Sequence, residues 1–355
     1  MSVQTEPVRV PPGEERWRLP PMLLPDGEQR DLWIDGGRLT AVPADGAEVL
    51  PGHFALPGLV DAHAHVALGP GLRPLDAASA RDALLRLREQ GILLVRDVGA
   101  PRSVTLMIAP DPSLPHLIAA GQWLAPTDRF FAALHEPVPP DVLIDAALGE
   151  VSRGARWVKV IADWMTPELS YDAALLRSLV DAVHAAGARV AAHTTWPTVR
   201  EVVSAGVDSV EHGCGLDAAT IAVMAAQGIA WTPTLTALLE PLPTDASRER
   251  RERRERLLGN DRAMLAEAVT SGVTILAGTD CAGTLTDEVR NLVAFGLTPV
   301  RALRAATTDA RAFLGLPSLV DGGPADVVTF EGDPRDDPDV LAYPAAVVLG
   351  GVRVR

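Results

Sequence analysis

Two cysteines, Cys214 and Cys281, are all that 355 residues contain, too few to staple the chain with a disulfide framework. Each follows closely on a candidate ligand, and a small core thiol beside a strand end is its expected role. Positive charge is also short: 32 Lys and Arg stand against 46 Asp and Glu, a net charge of -14. That balance disfavours attraction to nucleic acid phosphates or to an anionic membrane surface. The expected partner is therefore a small-molecule substrate, with neither nucleic acid nor membrane, and a homo-oligomer is compatible with the sequence. No apolar run is long and uninterrupted enough to span a bilayer. The start, Met1-Ser2-Val3-Gln4-Thr5-Glu6-Pro7, lacks the positive and apolar segments of a secretory signal, so a cytoplasmic location is expected. No Gly-X-Ser-X-Gly turn is present and neither cysteine has a catalytic partner, which places covalent hydrolysis well behind other chemistries.

What the chain does have is a rhythm. Residues 1–57 hold short extended segments between turns, such as Asp31-Leu32-Trp33-Ile34 before Asp35-Gly36-Gly37. From Leu59 onward, apolar strand candidates at 59–64, 92–97, 114–119, 157–162, 189–193, 208–212, 228–232 and 273–279 alternate with amphipathic stretches. Helices are expected over 76–89, 141–153, 172–186, 197–204, 217–226, 248–270 and 299–313, and a rim loop over 233–247. Eight strand candidates alternating with helices predict an α/β fold, a (β/α)8 TIM barrel over residues 58–319. Residues 325–330 and 345–353 return to short strands and are expected to join 1–57 in a small β-sandwich-like domain made of 1–57 plus 320–355. The charged run Arg248–Arg256 interleaves both signs and reads as a solvated helix face.

The chemistry concentrates at Asp61-Ala62-His63-Ala64-His65, directly after Leu56-Pro57-Gly58-Leu59-Val60. Residues two apart on a strand share a face, so His63 and His65 can reach one metal together. Lys159, His193, His212 and Asp280 sit near the ends of later apolar runs, where a parallel barrel gathers its functional groups. Imidazoles supply neutral donors and a carboxylate offsets metal charge.

These motifs, with Glu211-His212-Gly213 and Gly278-Thr279-Asp280 in order, make the chain resemble the amidohydrolase superfamily. The likeness is nearest to its imidazolonepropionase-like and prolidase-like members that use a carboxylated lysine. The resemblance implies two divalent ions, zinc being the first expectation. It places His63 and His65 on the more buried ion, a carboxylated Lys159 between the two, His193 and His212 on the second, and Asp280 on the buried ion as the group that takes a proton from a shared water. The implied activity is hydrolysis of an amide-type C–N bond in an acylated amino acid, dipeptide or cyclic amide. A lactonase, a mononuclear deaminase of the same superfamily and a noncatalytic metal-binding protein are the alternatives.

Trp164 (followed by Met165) after the fourth strand candidate, Trp196 after the fifth and Trp231 after the seventh are candidate substrate contacts, as are His116, His135 and Arg96. Asp61 is a candidate for orienting His63 or His65; His53 and His184 are expected to serve packing or surface hydrogen bonds. The stretches Ala162-Asp163-Trp164-Met165 and Ala125-Pro126-Thr127-Asp128-Arg129-Phe130 depart from the glycine-rich and Gly-Gly-His patterns of prolidase-like relatives, so the resemblance does not by itself single out a dipeptide among the implied substrates.

Overall fold

A computed structural model describes residues 15–164 and 166–355. Residues 1–14, including the amino-terminal start considered above, and Met165 lie outside the described residues.

The fold is α/β. Two parallel ladders make its centre. Leu59–Ala64 pairs with Ile92–Asp97, which pairs with His116–Ala119. Trp123–Leu124, Trp157–Ile161, Arg189–Thr194, Ser209–His212 and Ala230–Thr232 follow one another in chain order in a five-stranded sheet. Every residue of Leu59–Ala64, Ile92–Asp97 and Trp157–Ile161 is buried, which is why these strands read as near-continuous apolar runs instead of alternating ones.

The third expected strand is broken. It runs as His116–Ala119 and then Trp123–Leu124, the first piece bonded to the preceding strand and the second to the following one. The eighth, expected over 273–279, is not a regular ladder. It makes one parallel bridge at Ile275 to Trp231 and one at Asp280 to Ala64. Backbone hydrogen bonds from Leu276 N to Trp231 O (2.9 Å), Ala62 N to Ala277 O (2.9 Å) and Asp280 N to His63 O (2.7 Å) hold it between its neighbours. Gly278 is the cause of that close passage: a Cβ there would lie 2.4 Å from the Cβ of His63.

Helices cover the outside. Ala173–Ala185 buries Leu176, Leu179, Val180 and Val183, a single face at helical spacing, and Asp172 caps its start by accepting from Leu175 N. The helix expected over 299–313 is two, Pro299–Ala305 and Thr308–Phe313. The expected rim loop 233–247 contains a short helix, Leu235–Leu239, and Leu285–Ala294 is a helix that the pattern reading missed. The two are linked. Buried Glu288 accepts from Leu235 N (3.0 Å), Thr236 N (2.7 Å) and Thr236 Oγ1 (2.6 Å), so a carboxylate from a later helix satisfies first-turn amides that the local sequence leaves open.

Both chain ends contribute to a six-stranded sheet in the order Val352–Arg353, Ala346–Leu349, Val327–Phe330, Phe54–Pro57, Met22–Leu23, Glu28–Gln29. A four-stranded sheet of Arg38–Thr40, Trp33–Asp35, Trp17–Arg18 and Glu48–Val49 accompanies it. Leu23, Leu32, Ile34, Leu39, Val327 and Val348 share one apolar cluster. No helix among the described residues is long and apolar enough to cross a membrane.

A buried ion pair fastens this sheet to the helical layer. Arg311, in Thr308–Phe313, donates from Nη2 to Asp326 Oδ2 (2.9 Å) and from Nε to Pro317 O (2.8 Å), and both partners of the pair are about 1% exposed. Removing one member of such a pair strands the other charge. Arg311→Ala is expected to cost about 3–5 kcal/mol in chemical denaturation, whereas a loss below about 1 kcal/mol, the range of an exposed pair, would show that Asp326 is satisfied without it.

Candidate metal centre

His63, His65 and Asp280 present ligand atoms that all lie within 4.8 Å of one another. The His65 Nε2 to Asp280 Oδ1 distance is 3.3 Å and the His63 Nε2 to Asp280 Oδ1 distance is 3.9 Å. His193 and His212 stand beside them, their ring centroids 4.5 Å apart, with His212 5.2 Å from His63. These five residues and Lys159 line one cavity of about 280 Å³.

Three of the histidines are held through Nδ1 by a fixed acceptor. His65 Nδ1 lies 2.9 Å from Gly99 O, an acceptor only, so that nitrogen carries the proton. His63 Nδ1 donates to Glu211 Oε2 at 2.6 Å. Thr234 gives its own hydroxyl proton to Pro233 O (2.8 Å), so it accepts from His212 Nδ1 at 2.7 Å. Fixing one ring nitrogen as a donor leaves the other as a ligand.

The sequence analysis quoted Glu211 only as part of a motif and missed its role. Glu211 Oε1 accepts from Arg96 Nη2 (2.9 Å) and Ser209 Oγ (2.6 Å), while its other oxygen holds His63. Burial works against this carboxylate, but the charges of Arg96, His63 and Lys159 outweigh it and keep it well below the usual carboxylate range. Neighbours on a strand face opposite ways, so Glu211 and His212 would not ordinarily serve one site. His212 has φ 66° and Asp280 φ 57°, left-handed backbone that side chains rarely adopt. At both residues the strand direction breaks, which lets His212 join the cluster while Glu211 stays beneath it.

Among the described residues, two buried polar atoms at the cavity have no hydrogen-bond partner, Lys159 Nζ and His193 Nε2. Leaving such groups unsatisfied is costly, and a bound group that accepts them removes the cost. Burial pushes the Lys159 amine down to about 8, the His212 imidazole down to about 4, and His193 well below its ordinary range. Neutral imidazoles and a suppressed ammonium are the states a cation site needs. For Asp280, burial raises the carboxyl, but the hydrogen bond with His65 and the nearby imidazoles prevail and hold it well below its usual range. The donor set therefore fits divalent ions, with one condition: an ammonium cannot ligate, so Lys159 fits only as a carbamate. Lys159 is also the only lysine in the chain, every other cationic side chain being arginine.

The remaining candidates separate. Trp164 lines the cavity, its ring 5.5 Å from His193. Trp196 and Trp231 do not: Trp196 packs under the Arg253 guanidinium at 4.0 Å, and Trp231 is buried, donating from Nε1 to His212 O at 2.7 Å. Arg96 is fully buried, bonded to Ala62 O (2.5 Å) and Glu211 and stacked over Trp157 at 4.6 Å, so it meets no substrate. His116 bonds Asp326 at 3.0 Å and lines a different cavity of about 530 Å³. His135 lines a neighbouring groove of about 610 Å³ with Arg102 and Glu136. Asp61 accepts from the His63 and Thr279 backbone amides and from Thr279 Oγ1, orienting the strand ends and not the rings. Met165 lies outside the described residues.

A family model described as "Amidohydrolase family" matches residues 54–354. The chain belongs to this family. Uncharacterized proteins of Mycobacterium tuberculosis and Mycobacterium bovis are each 38% identical to this amidohydrolase-family chain over 347 residues, covering 92% of it and 93% of their own length. Among solved structures, an A. niger ochratoxinase superposes with TM-score 0.83 at 21% identity, covering 96% of each chain. A Xaa-Pro dipeptidase with bound methionine gives 0.81 at 20% identity, covering 96% of this chain and 100% of that one. At such identities these two speak for the fold.

Because Glu211 fixes the His63 tautomer, Glu211→Gln is expected to weaken divalent-metal affinity by about 10–100-fold in a chelator competition titration. Wild-type affinity in that variant would mean that His63 is oriented by something else.

Proposed function

We propose that this chain is a metal-dependent hydrolase of an amide-type C–N bond, with His63, His65, Lys159, His193, His212 and Asp280 as the ligand set and Asp280 as the proton-transfer group. The observation that carries this reading is that these side chains, from four separate strands and from the 273–280 segment, meet at one cavity, where Lys159 Nζ and His193 Nε2 are buried without partners among the described residues. The names of the Xaa-Pro dipeptidase and the ochratoxinase among the similar folds are in keeping with a hydrolase.

In this reading the two parallel ladders are one eightfold barrel over 58–319. Support comes from the break at 120–122, which passes the third strand from one ladder to the other, and from the 273–280 segment bonded on both sides. The two ends, 1–57 and 320–355, form the composite domain. All the proposed ligands then sit at the carboxyl ends of barrel strands, where such folds place their chemistry.

Lys159 becomes a ligand when its neutral amine bonds the carbon of carbon dioxide and loses a proton, giving a carbamate with two oxygens. Divalent ions, bound by this set, supply Lewis acidity that polarises a carbonyl and makes water acidic near neutrality. Asp280, held ionised by its neighbours, takes one proton from water as the water oxygen bonds to the carbonyl carbon. It returns that proton to the amide nitrogen as the C–N bond breaks, leaving a carboxylic acid and an amine. His63, His65 and His212 keep their orientation throughout because each donates from Nδ1 to a fixed acceptor.

One observation favours a second reading. Among the described residues only His63, His65 and Asp280 form a group with mutually close ligand atoms. A single ion there would suit deaminase-type chemistry. Metal content per chain of protein purified without added metal or chelator, with intact mass under nondenaturing conditions, separates the two. Two ions and one added carbon dioxide are expected. One ion with no added mass would move the deaminase forward.

Since Lys159 is the only lysine, protein equilibrated with 13C-labelled bicarbonate is expected to show a single carbamate resonance from a lysine side chain, absent in Lys159→Ala. Asp280→Asn is expected to lower kcat by about 10²–10⁴-fold on any amide the protein turns over. Undiminished turnover in that variant, with metal and fold intact, would falsify the proton-transfer role.

A further inference from the structure

The wall opposite the ligand cluster is of another kind. Two tryptophans leave the cluster on separate flanks and converge on one phenylalanine. Trp123 has its ring 5.4 Å from His65 and 5.3 Å from Phe130; Trp164 has its ring 5.5 Å from His193 and 5.0 Å from Phe130. Phe131, 43% exposed at the mouth, closes against Trp164 at 4.8 Å. Leucine and isoleucine side chains fill the gaps. Trp123 reaches its place only because residue 99 is glycine: a Cβ there would lie 2.3 Å from the indole nitrogen. The same glycine's carbonyl holds His65, so the aromatic flank and the ligand are set by one backbone turn.

These rings are tilted or edge-on to one another, the arrangement that leaves faces and edges for a further ring. Among the described residues lining the cavity, every charged side chain belongs to the ligand cluster. Nothing on the aromatic wall offers a counterion. Arg129, next to Phe130 in the chain, gives its guanidinium to Thr166 (2.6 Å) and Glu168 (3.0 Å), and His135, whose Nδ1 faces Phe131 O (3.1 Å) and whose Nε2 is unpaired among the described residues, lines the neighbouring groove and not this cavity. A carboxylate brought into this wall would be desolvated without a partner. As for size, an apolar cavity of about 150 Å³ admits benzene, so about 280 Å³ accommodates one aryl ring together with an amide at the cluster.

Resting on the amide-hydrolase reading above, we propose that the substrate is an uncharged amide carrying one aryl ring, seated between Trp123, Phe130, Phe131 and Trp164, and that Phe130 is the residue that selects the ring. Free-carboxylate substrates such as dipeptides and acylated amino acids are excluded by the same wall. The aryl group sits on the acyl or the amine side of the scissile bond, a choice that the probes below resolve.

The test compares kcat/KM of the metal-loaded full-length protein on four probes: N-benzoylglycinamide, N-benzoylglycine, acetanilide and N-acetylglycinamide. At least one neutral aryl amide is expected to exceed both the carboxylate N-benzoylglycine and the alkyl N-acetylglycinamide by tenfold or more. Faster benzoylglycinamide places the ring on the acyl side, and faster acetanilide places it on the amine side. Phe130→Ala is expected to lower the aryl amide at least tenfold more than the alkyl amide. The proposal is overturned if N-benzoylglycine is hydrolysed as well as its amide, or if Phe130→Ala affects aryl and alkyl probes alike. Should no amide be turned over, the hydrolase reading fails by itself. The probes are then inert ligands, and calorimetric titration of the wild-type protein still decides the selectivity: tighter binding of N-benzoylglycinamide than of N-benzoylglycine and N-acetylglycinamide supports it, and equal or reversed binding overturns it.

Discussion

Glu211 is a carboxylate with no access to water, and the arrangement of the site follows from how it is kept charged. Arg96 answers it with one arm of its guanidinium, spends its Nε on Ala62 O, reaches Thr232 Oγ1 at 3.2 Å and rests its face on Trp157. That one side chain therefore touches strands from both ladders. With its charge secured, Glu211 can take the proton-bearing side of His63, and His63 can turn its other nitrogen to Asp280. Neither half of the pair is affordable alone, because a lone buried charge costs several kcal/mol. The ion pair is better understood as a device for orientation than as a source of net stability.

Above that layer the cavity is divided by chemistry. One side gathers nitrogen and oxygen donors whose own needs are incompletely met, including two polar atoms with no partner. The other side is aromatic and aliphatic, with the guanidinium of neighbouring Arg129 engaged by Glu168. Backbone geometry enforces the division. Left-handed residues at His212 and Asp280 bring an imidazole and a carboxylate into the site where a regular strand would turn them away, and glycines at 99 and 278 let an indole and an imidazole approach the main chain. Strain and close approach are tolerated where surrounding contacts hold them in place.

Much of this was legible in advance, and the exceptions have local causes. Helix starts followed aspartate and serine caps at 172, 217 and 247, since capping depends on residues a few positions apart. Leu285–Ala294 went unseen although it carries a capping box at Thr284 and Asp287. The eighth strand read as regular because its composition is apolar, whereas its pairing depends on how far Gly278 lets it approach His63. Trp196 and Trp231 looked equivalent to Trp164, each following a strand candidate. Only Trp164 reaches the cavity, and nothing in their immediate sequence distinguishes the three. The count of lysines was an unused signal: Lys159 is the one lysine in a chain whose other long cationic side chains are all arginine, and an amine and a guanidinium differ in chemistry.

By itself the sequence determined the alternation of strands and helices, the family, and the residue types able to form a ligand set, because these depend on periodicity and on short motifs read along the chain. The tertiary structure alone decided that Glu211 supports His63, that Arg96 serves Glu211 and not a substrate, and that Trp123, Phe130 and Trp164 share one wall. Those relations join residues from 7 to 148 positions apart. They exist only once parallel strands are in register, since register, and not proximity in sequence, sets which side chains meet.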